Sequence, residues 1–176
     1  VKTRASLFRL AASIVLVLGS LATGLGAQEL SVKPEVLVPV ADSWRWFQPG
    51  LGVGASLGWP LEGTTFTFTG GLDAVTLTDK AQRPILLLAA RPGVQWALQV
   101  SPGWVVALSA DAGWSLASRG DFDLLVNNPF GAAGAALGID LAPTLTFRWG
   151  VEYQYVYELF QGVVTWASFT LKEGRP

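Results

Sequence analysis

Residues 145–157 read LTFRWGVEYQYVY, and every second position is apolar: Leu145, Phe147, Trp149, Val151, Tyr153, Tyr155 and Tyr157. Between them stand Thr146, Arg148, Gly150, Glu152, Gln154 and Val156. A period of two puts the two sets on opposite faces of an extended strand. The second face decides the fold. Across the chain it is mostly Gly, Ala, Ser and Thr, whereas a sheet in water usually turns Lys and Glu to solvent on its outer face. Bulk on one side and small residues on the other is what a narrow transmembrane barrel requires, with lipid outside and little room within.

Seven more segments carry this period, at 30–41, 51–59, 64–76, 85–98, 104–116, 130–141 and 163–171. The cleanest sets Leu51, Val53, Ala55, Leu57 and Trp59 against Gly52, Gly54, Ser56 and Gly58. The least regular is 85–98, where 85–88 is apolar on both faces and Arg91-Pro92-Gly93 intervenes. Proline cannot donate to a ladder, so this is a bulge or a turn; a turn would leave each half too short to span, and we expect one bulged strand. Connections alternate between long (42–50, 78–84, 117–129) and short (60–63, 101–103, 142–143), and the last, 158–162, is about five residues. The expected fold is all-β: an eight-stranded antiparallel up-and-down transmembrane barrel with both termini on the periplasmic side.

The N-terminus reads as an export signal. Lys2, Arg4 and Arg9 precede an apolar run over 10–25, and Gly24, Gly26 and Ala27 offer small residues for cleavage after Ala27. Residues 1–27 are then a signal peptide and 28–176 one barrel domain. Removing the signal takes three of 12 basic residues and none of 13 acidic ones, leaving a net charge of −4 that disfavours nucleic acid. The absence of cysteine excludes disulfides. The absence of histidine excludes a Ser-His-Asp triad, a His-bearing zinc site and histidine-ligated haem, so neither metal nor cofactor is expected.

Charge and aromatic placement agree with lipid outside. The strand charges Lys33, Glu35, Asp73, Arg91, Asp111, Asp140, Arg148 and Glu152 all fall on the small face. A Lys or Arg on the lipid face at midplane costs roughly 2–4 kcal/mol, which explains the segregation. Trp104 and Trp114 share a face ten residues apart. At ~3.3 Å per residue and a tilt near ~45° they stand roughly 23 Å apart along the membrane normal, close to the height of the apolar band between aromatic girdles. Phe147 and Tyr157 repeat the interval, and Trp59 and Tyr155 complete the expected interface set.

The stretches PGLGVGASLGW (49–59), GWVVALSADAGW (103–114), RWGVEYQYVY (148–157) and VVTWASFTL (163–171) resemble the small bacterial outer-membrane barrels of the OmpA-transmembrane-domain and OmpX type. The resemblance spans roughly 30–171 and rests on pattern. It implies residence in the outer membrane, and outer-membrane lipids, periplasmic chaperones and the barrel-insertion machinery as partners. Phe169 and Leu171 are similar to the terminal signal that this machinery reads, although five residues follow.

Two groups of inward charges are the candidate site: Asp73, Arg91 and Asp111 on consecutive strands, and Asp140, Arg148 and Glu152. They form either a gated polar path or a plug of mutually paired charges. The plug is preferred because unpaired buried charge is costly. Leu37, Leu87 and Trp166 also point inward and narrow any pore. Gly50, Gly52 and Gly54 lead into a strand, so they are no phosphate loop. Asp121, Asp123, Asn127 and Asn128 read as a solvated loop rather than a calcium site. Arg45 with Trp44, Trp46 and Phe47 reads as an interfacial anchor. The expected role is a monomeric structural or surface-exposed component without catalysis. The alternatives are a narrow channel for small solutes and a secreted soluble barrel of lipocalin type.

Overall fold

The computed structural model describes residues 29–119 and 124–172; the signal segment, Asp121 and Asp123 lie outside them. Eight strands follow one another in an antiparallel closed barrel: β1 (Glu29–Pro39), β2 (Phe47–Pro60), β3 (Phe66–Asp79), β4 (Pro84–Ser101), β5 (Trp104–Arg119), β6 (Leu124–Ala142), β7 (Leu145–Val156) and β8 (Phe160–Lys172). Closure comes from β1 against β8, from Glu29 opposite Lys172 to Pro39 opposite Gly162. Each interior strand therefore finds backbone partners on both sides, the condition for strands to cross a bilayer.

The strands outrun their expected limits at the loop end. The segment 117–129, expected as the longest loop, is largely ladder: Asn127 stands opposite Leu116 and Asn128 opposite Ser115. Asn128 Nδ2 also donates to the carbonyl of Tyr157 at 2.9 Å. The physical reason is local, since Ser115 and Ala117 continue the small inward series and no Pro-Gly pair halts it. Pairing then extends as far as both chains remain extended.

The bulge expected at Arg91-Pro92-Gly93 is absent. Against β3 the register runs in step from Pro84 opposite Thr78 to Trp96 opposite Phe66. Against β5 the step is the same on both sides of the proline, with Ala90 opposite Trp114 and Gly93 opposite Asp111. Pro92 costs the ladder rungs without shifting it. At the opposite end the turns are tight. Pro102-Gly103, with Gly103 at φ +77°, supplies what a type II turn asks for. A 3-10 helix, Ala41–Arg45, folds the first loop over the barrel rim.

The outer wall is apolar and open: Leu51 is 62% exposed, Leu108 45%, Trp149 60% and Phe169 53%. A lipocalin-type barrel holds such residues around its axis, so that alternative does not describe this fold. The lumen is layered. Its loop-end half is an apolar plug of Leu37, Val75, Leu77, Leu87, Phe130, Val156, Phe160 and Val164, with Leu37 and Val164 wholly buried. Charged side chains occupy the middle, and small polar residues line the turn end.

Candidate functional site

Glycine makes room for the charged layer. In the ladders Glu35 stands opposite Gly52, Lys33 and Asp73 both opposite Gly54, Arg91 opposite Gly71, Asp111 opposite Gly93 and Glu152 opposite Gly134. A Cβ at Gly134 would lie 2.6 Å from Glu152 Cβ and 2.7 Å from the carbonyl oxygen of Val151, so no larger residue fits. Gly150 does the same for Trp166, whose ring lies 2.6 Å from where the Cβ would be. The small face seen in the sequence is thus a set of seats for large inward side chains on neighbouring strands.

Arg91 is the centre of the layer and is 5% exposed. Its Nη1 donates to Asp73 and, at 2.8 Å, to Glu152 Oε1; its Nη2 donates to Glu152 Oε2 at 2.9 Å and Asp111 Oδ2 at 2.6 Å. The Glu152 contact is the parallel two-bond geometry that suits guanidinium and carboxylate. Lys33 donates to Asp73 Oδ2 at 3.1 Å and lies 3.3 Å from Glu35 Oε2. Gln154 Nε2 adds a bond to Glu152 Oε1 at 2.6 Å, and the Phe130 ring lies 5.8 Å from the Arg91 guanidinium carbon. The Glu35 carboxylate is buried and accepts no hydrogen bond among the described residues, which leaves Lys33 as its ionic neighbour.

The two groups expected from sequence are redistributed. Asp73, Arg91 and Asp111 do meet, and Glu152 joins them from β7 rather than grouping with Arg148 and Asp140. Arg148 lies lower, donating to Gln95 Oε1 at 2.9 Å with Glu29 at 4.0 Å. Asp140 sits near the turn end, accepting from Thr146 at 2.5 Å and Lys172 at 3.2 Å. Lys33 and Glu35 belong to the central cluster although the candidate set omitted them. Their signal was available, because both lie on the small face of β1. Beneath the cluster a cavity of about 90 Å³, bordered by Ser31, Ser56, Thr69, Ser109, Arg148 and Ser168, has room for a few waters. Among the described residues no group of three or more His, Cys, Asp and Glu is placed to hold a metal ion.

The expected interface aromatics differ in their settings. Trp104, Trp114, Tyr155 and Tyr157 are exposed on the outer wall. Phe147 packs on Phe169 at 5.3 Å between ring centroids. Trp59 instead lies over Gly70 and packs against the buried pair Ala55 and Leu57, so it covers wall as well as facing outward. Tyr157, just past β7, hydrogen-bonds Glu158, and that carboxylate raises the pH at which its phenol ionises. In the first loop Trp44 and Trp46 are exposed, whereas Phe47 turns into the mouth and packs edge-on against Phe160 at 5.5 Å.

No family model and no curated protein sequence matches the chain. Solved structures do match in shape. Neisserial surface protein A (NspA) superposes with a TM-score of 0.65 at 11% identity, over 81% of this chain and 96% of that one. OprG from Pseudomonas aeruginosa gives 0.54 at 10% identity, over 85% and 97%. Ail, the attachment invasion locus protein of Yersinia pestis, gives 0.51 at 12% identity, over 83% and 98%. Likeness at these identities is a likeness of fold. The chain has the fold of the small eight-stranded outer-membrane barrels.

Proposed function

We propose that this chain is an integral outer-membrane protein, exported by residues 1–27, that serves as a monomeric structural or surface-exposed component and neither conducts nor catalyses. Its partners are the lipids around its wall and, during assembly, periplasmic chaperones and the insertion machinery. The observation that carries the reading is the filled axis. Arg91 is held by Asp73, Asp111 and Glu152 in mid-lumen, with the apolar plug of Leu37, Val156 and Val164 stacked above it. The carboxylates are committed to Arg91 and Lys33 and have no histidine beside them, which speaks against acid–base chemistry in the lumen. The apolar outer wall supports the membrane setting.

Two measurements test it. Membrane fractionation with the gel-mobility change on heating should place a folded, heat-modifiable barrel in the outer membrane; a mature chain that stays in the aqueous phase overturns the proposal. Planar-bilayer recording of purified protein should show no steady current. A reproducible conductance altered by Arg91→Ala or Asp111→Ala would establish the narrow-channel alternative instead.

A further inference from the structure

The barrel is closed by its plug, but among the described residues its mouth at the loop end is not filled. Above the plug lies a pocket of about 420 Å³, within the range of small-molecule sites. Its floor is apolar, built from Phe47, Ile85, Ala117, Val126 and Leu159, which pack against the plug below. Its rim is cationic: Lys80, Arg83 and Arg119 against the single carboxylate of Asp79. That carboxylate is already taken by Arg83, whose Nε donates to Asp79 Oδ2 at 2.7 Å and whose backbone N–H donates to Oδ1 at 2.8 Å. Among the described residues Lys80 has only the Trp44 ring, 5.1 Å from its Nζ, and Arg119 meets no carboxylate.

An apolar floor under two cations that meet no carboxylate among the described residues selects an occupant with an alkyl or aryl body and an anionic head. Ile85, Ala117 and Val126 share the inward register of Arg91 and Leu87, so the pocket belongs to the inside of the mouth and not to the lipid-facing wall. We propose that the mouth binds a soluble anionic amphiphile of the alkyl carboxylate or alkyl phosphate class, with its chain on Ile85, Ala117 and Val126 and its head at Lys80 and Arg119. The site is a blind one, so this inference stands apart from whether the lumen conducts.

The test is a titration of ¹⁵N-labelled protein in zwitterionic nanodiscs with octanoate, octyl phosphate and octylammonium, read by amide chemical shifts. Octanoate and octyl phosphate should give saturable shifts confined to Ala81, Ala117, Val126, Leu159 and their neighbours, with octylammonium binding at least ten-fold more weakly. The double variant Lys80→Ala/Arg119→Ala should erase that preference, and Ala117→Trp, with folding checked by the gel shift, should abolish binding of all three. Equal binding of the cation and the anions overturns the proposal. So do shifts that never saturate or that spread over the outer wall, which report partition into the bilayer.

Discussion

Replacing Arg91 by methionine tests the central layer most directly. The side chain is 5% exposed and its two terminal nitrogens engage Asp73, Asp111 and Glu152. Methionine keeps most of the volume, so the loss is electrostatic rather than a cavity. Four buried carboxylates, Glu35 included, would then share Lys33 as the one cation close by among the described residues. At about 4 Å between charge centres a pair is worth about 4 kcal/mol at an effective dielectric of about 20, before the cost of burying the ions is set against it. Removing one partner of a buried pair typically costs about 3–5 kcal/mol, and we expect Arg91→Met to fall there. That is a large part of the ~5–15 kcal/mol that holds a domain folded. The assay is urea unfolding in lipid vesicles, followed by tryptophan fluorescence and the gel shift and extrapolated linearly to water. The triple variant Arg91→Met/Asp73→Asn/Glu152→Gln removes the charges left behind and should regain on the order of 2 kcal/mol. A loss below about 1 kcal/mol for the single variant, or a triple variant no more stable than it, would refute the view that paired burial holds this layer.

Four other outcomes follow from the geometry and can be read in the same unfolding assay. Gly134→Ala should cost about 1–3 kcal/mol, because its methyl meets Glu152 Cβ and a backbone carbonyl that cannot yield. Gly70→Ala, whose nearest contact is the Trp59 ring at 3.4 Å, should be close to neutral. Leu108→Lys, on the outer wall between the Trp104 and Trp114 levels, should cost roughly 2–4 kcal/mol, and a negligible change would place that wall outside the lipid. Leu37→Ala, at 0% exposure in the plug, should cost about 2–5 kcal/mol; a much smaller loss would mean that the plug collapses to fill the gap.

Strand alternation was enough to read the architecture. Which side chains point out and which point in is a local property of extended backbone, so Trp104, Leu108 and Phe147 could be assigned to the wall, and Asp73, Arg91 and Asp111 to the lumen, from parity alone. The same parity showed that the inner face was small, and hence that the barrel was narrow. Strand ends were less legible. The residues of 117–129 have ordinary strand character, and whether they pair depends on a partner having the same reach. The proline of β4 misled for a related reason, because a missing donor removes rungs but a register pinned on both sides does not slip.

Height along the axis was beyond the sequence. Arg91 and Glu152 lie on β4 and β7, which share no ladder, and they meet because strand tilt and stagger bring them to one level across the lumen. The same stagger carries Asp140 to the turn end beside Lys172 and leaves Arg148 with Gln95. It also decides which glycine faces which charge, and it gathers Leu37, Val75, Val156 and Val164 from distant strands into one plug. Alternation along a single strand records only the side on which a residue falls, whereas the level it reaches is fixed by the closure of all eight strands together.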